Sequence, residues 1–352
     1  MVSEQEITPK KILIVGAGGF IGGFIAARAR SLGYDTWVGI RKSTSRRYLT
    51  DSSLHIVEFD YDDTESVENK LKEYRESIGR WDYIIWNLGA TKCANFADFN
   101  RINYLYLKEF VELLLKEEMQ PERFLFMSSL SAVGPGDEKG YTPLKSSSIP
   151  SPNTRYGVSK IKAETFLQTV SDRLNWIVFR PTGVYGPREK DYLMMVKSID
   201  SGLDVGMGYR RQMLTFVYVD DLVDAMFDAL RAPLTNVVHR KYIISEPRAY
   251  TQKEFREITC RHLGKKRAIS LKLPMWLVYA ACTVSEKLAA LRGKASTLNR
   301  DKFKIMKQRN WNCDVSDAVT DFGFTSKWTL NDGMKETVKA YLKEKEIQKS
   351  QK

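Results

Sequence analysis

The chain has 352 residues, 43% hydrophobic and 28% charged, a composition ordinary for a soluble globular protein with a sizeable core. Its four widely spaced cysteines form no C-x-x-C pair and it has only three histidines, which argues against a disulfide framework or a zinc site. No apolar secretory segment precedes Lys11, so we expect a cytoplasmic protein.

The first half of the chain alternates apolar runs with helical patterns, which is typical of a parallel sheet wound with helices. Six buried strands are predicted, at residues 11–15, 36–40, 55–59, 83–86, 124–127 and 176–179. The main helices are predicted at residues 20–32, 103–116 and 156–170. The pattern indicates an α/β fold with a doubly wound parallel sheet of the Rossmann type.

The alternation ends after Pro187, where we place the start of a smaller, mixed substrate-binding domain. The predicted cofactor domain comprises residues 1–186, with 213–247 returning to it. The predicted substrate domain comprises 187–212 and 248–345, and the Lys/Glu/Gln-rich residues 346–352 are expected to be a frayed tail.

The glycine turn directly after the first strand predicts a dinucleotide site. Gly16, Gly19 and Gly22 form G-x-x-G-x-x-G, with Phe20 and Ile21 opening the helix. Glycine permits the unusual backbone angles of the turn and the close approach of a pyrophosphate, and the helix N-terminus offers unpaired N–H groups to phosphate.

The end of the second strand indicates which dinucleotide binds. Arg41 follows Ile40, where an acid for the ribose of NAD would otherwise stand. Arg41 can clamp a 2′-phosphate, with Lys42, Ser43 and Arg46 assisting. We therefore favour NADP(H) over NAD(H), against the alternative of a solvated arginine at a strand end.

Tyr156 and Lys160 are one helical turn apart, so they share a face of the predicted helix. An ammonium near a phenol favours the phenolate and lowers the phenol's pKa from about 10, which would make a proton-transfer device. Such a pair also occurs by chance, so its meaning depends on the other motifs.

Together these motifs resemble the extended short-chain dehydrogenase/reductase superfamily, from Lys11 to Leu342. Besides the glycine turn, the resemblance is carried by Asn87–Ala90, Asn103, Ser128–Ser129, Tyr156 with Lys160, Arg180–Pro187 and Phe216–Asp221. It implies that Tyr156 is the general acid/base, that Lys160 lowers its pKa and holds the nicotinamide ribose, that Ser129 bonds the reacting oxygen, and that Asn103 supports the site. It also implies cofactor contacts from Asp60 and Tyr61 at the adenine, from Leu88, Gly89 and Ala90 along the channel, and from Pro181 and Val184. Ser131, two residues beyond Ser129, is the alternative serine for the bond to the reacting oxygen. The resemblance also implies a homodimer.

The chain differs from nucleotide-sugar epimerases and dehydratases at three places, and these differences bear on which branch of the superfamily it resembles. Gly183 stands where nucleotide-sugar epimerases and dehydratases usually have asparagine, and Leu214-Thr215 stand where they have Arg-Asp. Leu130-Ser131, rather than Asp-Glu, follow Ser129. The last third resembles the branch of 3β-hydroxysteroid dehydrogenases and dihydroflavonol-reductase-like proteins.

This resemblance favours an NADP(H)-dependent oxidoreductase that interconverts a ketone and a secondary alcohol on a hydrophobic, lipid- or steroid-like substrate. The alternative is a nucleotide-sugar 4-epimerase or dehydratase with tightly held NAD(P). A third hypothesis is a non-catalytic protein that binds the cofactor only.

The net charge of +12 is concentrated between Lys253 and Arg309, where fifteen Lys or Arg face four acids. No nucleic-acid-binding motif accompanies this segment, so we expect no nucleic-acid partner. A solvated basic face, an acidic substrate and peripheral contact with a membrane through residues 253–309 stay open.

Within that segment, residues 273–284 are apolar except for Thr283. About twelve residues are too few to span a bilayer, which needs roughly twenty. We favour a core or subunit-contact helix. The alternative is that Trp276 and Tyr279 rest on a membrane surface or line the entrance for an apolar substrate.

Overall fold

The computed structural model describes residues 8–93, 95–291, 296 and 298–350. The strands are β1 (Lys11–Val15), β2 (Asp35–Ile40), β3 (His55–Glu58), β4 (Tyr83–Trp86), β5 (Arg123–Met127), β6 (Trp176–Pro181), β7 (Gly183–Tyr185), β8 (Leu203–Met207), β9 (Phe216–Tyr218), β10 (Arg240–Ile244) and β11 (Ile269–Leu273). The helices are α1 (Phe20–Ser31), α2 (Thr64–Ile78), α3 (Phe96–Asn100), α4 (Tyr106–Lys116), α5 (Arg155–Thr169), α6 (Asp191–Asp200), α7 (Val219–Arg231), α8 (Leu234–Val237), α9 (Gln252–His262), α10 (Met275–Leu291), α11 (Arg300–Lys307), α12 (Ser316–Phe322) and α13 (Leu330–Ser350).

Seven parallel strands form the central sheet, in the order β10-β6-β5-β4-β1-β2-β3. The order reverses direction between β1 and β4, which is the switch point at which such sheets bind ligands. The predicted fold class is therefore confirmed. The six predicted strands are present to within two residues, and β10 is a seventh that the sequence pattern did not reveal.

The two faces of the sheet explain its apolar strands. In β1, Ile12 and Ile14 pack into one core cluster, whereas Leu13 and Val15 pack into the other. Successive side chains of a strand point to opposite faces, so a strand covered on both sides must be apolar throughout. Helices on the two faces thus bury the sheet and leave its carboxyl edge for the site.

The rest of the described chain forms two short parallel sheets, β8 with β11 and β7 with β9, and the helices around them. A third core cluster, which includes Tyr185, Phe216 and Phe255, holds these elements together. The predicted division into domains stays a prediction. No helix among the described residues is long and apolar enough to cross a membrane.

Two helix boundaries differ from those that the sequence predicted. The predicted helix at 103–116 begins as a π-helical turn at Arg101–Leu105, which places Asn103 in the interior. The tail expected to fray from residue 346 is helical as far as Ser350, and residues 351–352 lie outside the described part.

The apolar segment forms α10, but this helix is not a core helix. Trp276 is 71% exposed and Val284 56% exposed, whereas Val278 and Cys282 are buried. Only a narrow face of α10 therefore packs against the rest of the described protein. Its role as a subunit contact stays a prediction.

Candidate active site

The predicted glycine turn lies between β1 and α1, at the switch point of the sheet. Gly16 has φ +85°, a conformation that favours glycine, and a Cβ atom there would lie 2.7 Å from the backbone N of Leu88. A Cβ atom at Gly22 would lie 2.4 Å from the carbonyl O of Gly16. Both glycines are thus required by close packing of backbone on backbone.

Gly19 differs because it faces open space. The nearest atom to a Cβ there would be 3.7 Å away, and Gly19 is the N-cap of α1. Among the described residues, α1 has no side-chain cap bond and no acid in its first turn, and Phe20 and Ile21 anchor it on the core. The free N–H groups and positive dipole end of α1 fit a pyrophosphate.

The loop after β2 passes over the glycine turn. Thr44 lies so close that a Cβ on Gly18 would be 2.1 Å from its Cγ2, and Arg41, Lys42 and Ser43 are exposed at the strand end. Arg46 is engaged by Glu58 at 2.7 Å. Arg41 and Lys42 make no ion pair with a described residue, so both cations at this edge remain available for a ribose or its phosphate.

Asp60 and Tyr61, after β3, have different surroundings. Asp60 is exposed, whereas the ring of Tyr61 is 5% exposed, stacks on Tyr106, and its hydroxyl has no hydrogen-bond partner among the described residues. Burial raises the pKa of Tyr61, and the charge of Arg41 partly opposes that rise. Arg41 therefore lies within electrostatic reach of the predicted adenine pocket.

Asn103 holds the loop that follows β4. Its Oδ1 accepts a bond from the N–H of Ala90 at 2.7 Å, and its Nδ2 donates to the Ala90 carbonyl at 3.0 Å and to Ser159 Oγ at 2.9 Å. These bonds fix the predicted channel segment, Leu88, Gly89 and Ala90, against α5. In the described structure Asn103 is a positioning residue.

Helix α5 packs against the turn after β5 and places the predicted proton-transfer residues at the edge of the sheet. Thr154 caps it by accepting a bond from Gly157 N at 3.0 Å. A Cβ on Gly157 would lie 2.2 Å from the carbonyl O of Ser131, so only glycine allows this contact. The contact brings Tyr156 to the turn after β5, close enough to Ser129 for the serine side chain to lower the pKa of the phenol. The structure therefore pairs Tyr156 with Ser129.

Lys160 is 3% exposed beneath the same turn. Its Nζ donates to the Met127 carbonyl at 2.8 Å and lies 4.9 Å from the ring centroid of Phe126. A Cβ on Gly89 would lie 2.9 Å from this Nζ, so Gly89 leaves room for the ammonium at the cleft. Tyr156, Lys160, Ser129 and Gly89 thus lie around one turn at the edge of the sheet.

The protonation of the pair differs from the expectation. Burial raises the pKa of Tyr156 to about 12, partly offset by the side chain of Ser129. Burial also lowers the pKa of Lys160 to about 7, partly opposed by Glu164. The expected depression of the Tyr156 pKa by Lys160 is not found in the free protein, because burial raises that pKa and Ser129, not Lys160, is the group that lowers it.

The buried lysine gives a pH-dependence of stability. The pKa of Lys160 falls from 10.5 unfolded to about 7 folded. Between these values the unfolded chain binds a proton that the folded protein does not, so the free energy of unfolding rises with pH across this window. Lys160→Met should remove this rise and stabilise the protein most at and below pH 7, by up to ~5 kcal/mol.

Chemical denaturation from pH 6 to pH 10 measures this difference between parent and variant. The matched control is Lys162→Met, at an exposed lysine of the same helix. Parallel stability profiles for the parent and Lys160→Met would contradict a neutral buried lysine.

A buried ion pair lies behind the site, and the sequence analysis missed half of it. Arg180 donates to both carboxylate oxygens of Glu164, at 3.0 and 2.6 Å, and both side chains are at most 1% exposed. Ser128 Oγ donates to Glu164 at 2.6 Å. Glu164 follows Lys160 by four residues, and this spacing on the helix face was the available signal. The pair fixes Ser128 and hence the adjacent Ser129.

After β6, Gly183 stands where nucleotide-sugar epimerases and dehydratases usually have asparagine, and a tyrosine side chain packs against it. Pro181 ends β6, and Val184 lies in β7. A Cβ on Gly183 would lie 1.9 Å from the hydroxyl of Tyr192, so a tyrosine from α6 occupies the space in front of this residue. Tyr192 is a site residue that the sequence analysis missed, because nothing in the sequence links the two positions.

A cavity of about 680 Å³ opens at Arg155, the residue before Tyr156, and its volume is within the range of roughly 300–1,000 Å³ typical of small-molecule sites. Phe99, whose ring centroid is 6.4 Å from that of Tyr156, and Arg155 line it. Its other lining residues include Arg300, Lys304, Lys307, Glu138, Glu286, Asp301 and Tyr279. The charged side chains share the lining with Cys93, Pro135 and Phe303, and Tyr156, Lys160 and Ser129 are not among the residues that line the cavity.

Comparisons with known proteins identify the family of the chain. The model of the NAD dependent epimerase/dehydratase family matches residues 12–245. The chain belongs to this family. The extended short-chain dehydrogenase/reductase resemblance is thereby confirmed, whereas the 3β-hydroxysteroid dehydrogenase-like branch stays a prediction.

Individual relatives are distant. The UDP-glucose 4-epimerase of Vibrio cholerae is 22% identical over 349 residues, 97% of this chain and 98% of that protein. Short-chain dehydrogenase/reductase family 42E member 1 of Homo sapiens is 33% identical over 127 residues, 34% of this chain and 32% of that protein. Full-length similarity is thus to an epimerase.

Solved structures share the fold. The UDP-glucose 4-epimerase of Thermotoga maritima superimposes with a TM-score of 0.75 at 20% identity, over 95% of this chain and 99% of that one. The UDP-glucuronic acid 4-epimerase of Bacillus cereus, in complex with NAD, gives 0.73 at 17% identity, over 95% and 99%. The family binds NAD(P), and these structures lend no support to a preference for NADP(H).

Proposed function

We propose that this family member oxidises a secondary alcohol of a nucleoside-diphosphate sugar and reduces the product again, as a 4-epimerase or dehydratase does. The observation that carries the proposal is the group of cations that line the cavity near Phe99 and Arg155. The proposal therefore differs from the hydrophobic, lipid- or steroid-like substrate that the sequence favoured.

The cations of the cavity are the main argument for an anionic substrate. Glu286 is bonded by Arg300 at 3.0 Å, and Asp301 accepts the backbone N–H of Arg155 at 2.7 Å. Lys304 and Lys307 make no ion pair with a described residue. Glu138, the third acid of the lining, pairs with Arg309 at 3.2 Å, and Lys304 Nζ donates to the Asn153 carbonyl at 2.7 Å. Lys307, whose side chain has no hydrogen bond or ion pair with another described residue, is therefore the lysine available for phosphate oxygens.

The proposed chemistry uses the residues at the sheet edge. The substrate hydroxyl gives its proton to the oxygen of Tyr156 as its carbon loses a hydride, and Ser129 donates a hydrogen bond to the reacting oxygen. When bound, the nicotinamide cofactor accepts that hydride and returns it to the ketone. Lys160, beneath the phenol, supplies positive charge below its pKa of about 7 and a hydrogen bond above it.

Two observations favour a second candidate, reduction of an apolar ketone. Leu214 replaces the arginine that would hold a diphosphate. Tyr279, which lines the cavity, belongs to the exposed apolar helix α10. This was the preferred hypothesis from the sequence.

One experiment separates the two candidates. The protein is incubated with UDP-glucose, UDP-glucuronic acid and dTDP-glucose in the presence of NAD, and separately with NADPH and a panel of ketones. Conversion of a sugar nucleotide without net change in cofactor absorbance supports the proposal. Stoichiometric NADPH loss with a ketone, and no sugar conversion, would overturn it in favour of the reductase.

The cofactor preference is tested at Arg41. If Arg41 binds a 2′-phosphate, Arg41→Ala should weaken NADPH binding by about tenfold to a hundredfold and leave NADH binding within about twofold, since a charge-assisted bond contributes ~1.5–3 kcal/mol. Fluorescence titration with both cofactors measures the ratio. Arg47→Ala is the control, because Arg47 is an exposed arginine of the same loop. Equal losses for the two cofactors would count against NADP(H).

A further inference from the structure

The two-stranded sheet of β8 and β11 is built with its apolar side outward. Leu203 and Val205 of β8 are 43% and 38% exposed, and their register partners Ile269 and Leu271 of β11 are 68% and 48% exposed. Water-facing strands ordinarily place polar residues outward. Here the four apolar side chains form one solvent-facing patch.

The inward side of this sheet shows that the arrangement is specified. Asp204 is 3% exposed and is bonded by Arg256 and Gln252, each at 3.2 Å. A Cβ on Gly206 would lie 2.9 Å from the side chain of Gln252. A shift of one residue would bury the apolar side chains and expel Asp204, so the polar contacts hold the strands in this register.

Helix α10 continues the patch, since Pro274 joins it directly to β11 and Met275 packs against Gly208 after β8. Its exposed residues include Leu277, Val284, Leu288 and Leu291, which follow a helical spacing with Ala281 between them. Trp276 stands beside them at 71% exposure. We call the outward faces of β8, β11 and α10 the apolar platform.

Several cations that pair with no described acid lie on the elements of the platform or next to them in the chain. Lys266 and Arg267 before β11, Lys287 on α10, and Arg210 and Arg211 after β8 are exposed and make no ion pair with a described residue. The acids within these elements are Asp204, which is buried, and Glu286, which is bonded to Arg300. The platform is therefore apolar, and the elements that carry it and their neighbours in the chain bear unpaired positive charge.

We propose that the apolar platform docks on the surface of a membrane that contains anionic lipids. Basic residues are attracted to such a surface, apolar side chains enter the interface, and a tryptophan prefers the headgroup level. A second copy of the chain fits less well, because a two-fold contact would set these cations against one another. Tyr279 lines the cavity from α10, so docking would bring the cavity mouth close to the lipid.

The test uses the full chain and sedimentation with vesicles of phosphatidylcholine, with or without phosphatidylglycerol. We expect binding to the anionic vesicles that weakens with added salt, and little binding to the neutral ones. The double variant Leu271→Ser/Trp276→Ser should bind at least about tenfold more weakly, which corresponds to about 1.4 kcal/mol. Lys266→Glu/Arg267→Glu should lose binding and its salt dependence together.

Ile149→Ser is the matched control, because Ile149 is an apolar residue 90% exposed outside the platform. Thermal melting checks that each variant is folded. Absence of binding by the parent protein, or unchanged binding by Leu271→Ser/Trp276→Ser, would overturn the proposal. If that variant instead dissociated a dimer in analytical ultracentrifugation and bound vesicles as the parent does, the platform would be a contact between copies.

Discussion

Replacing Tyr156 with phenylalanine is expected to lower kcat about 10²- to 10⁴-fold, the range that a positioned general acid or base contributes. The variant retains the ring that packs near Phe99 and loses only the hydroxyl that lies close to Ser129. Cofactor affinity and melting temperature should therefore stay close to those of the parent. Steady-state kinetics with the substrate that the assay under Proposed function identifies measures kcat. Cofactor titration and thermal melting measure the affinity and the melting temperature.

Tyr104→Phe is the control for Tyr156→Phe, since Tyr104 is a half-buried tyrosine of the π-helical turn next to Asn103. It should change kcat less than about twofold, as expected of a residue outside the chemistry. Retention of full activity and of the biological role by Tyr156→Phe would support the third hypothesis, a protein that binds the cofactor without catalysis.

The pH profile adds a second readout for Tyr156. Its pKa of about 12 in the free protein leaves little phenolate at neutral pH. Alcohol oxidation should therefore accelerate as pH rises, because deprotonated Tyr156 is the proton acceptor.

Replacing Glu164 with glutamine is expected to destabilise the protein by about 3 kcal/mol or more, because it leaves the guanidinium of Arg180 buried without its counter-charge. The melting temperature should fall by several degrees. Activity should fall as well, since Glu164 holds Ser128 at 2.6 Å and Ser128 precedes Ser129. Denaturant unfolding and calorimetry measure the loss.

A double variant distinguishes charge from packing at this pair. Glu164→Leu/Arg180→Met removes both charges and should recover most of the stability that Glu164→Gln loses. Glu112→Gln is the exposed control, because Glu112 pairs with Lys108 at 2.8 Å on the surface and should change stability by less than about 1 kcal/mol. A loss in Glu164→Gln no larger than in Glu112→Gln would show that the buried pair contributes little.

At the site, the positions of several residues were predictable from the sequence, whereas their protonation states were not. The positions of Gly16, Gly22, Tyr156 and Lys160 were predictable because each is tied to a strand end or a helix face by local spacing. The protonation of Tyr156 and Lys160 was not predictable in this way. Spacing gives their proximity, whereas their pKa values are set by burial, which depends on the whole surrounding fold.

The sequence by itself determined the wound parallel sheet, its cofactor turn and the face of α5 that bears the proton-transfer pair, because strand alternation, glycine requirements and helical period are local properties. Only the tertiary structure decided which distant residues meet. Tyr192 lies against Gly183, and Arg180 pairs with Glu164. It also turned an apolar segment outward as α10, because burial depends on the neighbours that the fold supplies, and none of the described residues covers the exposed side of that helix.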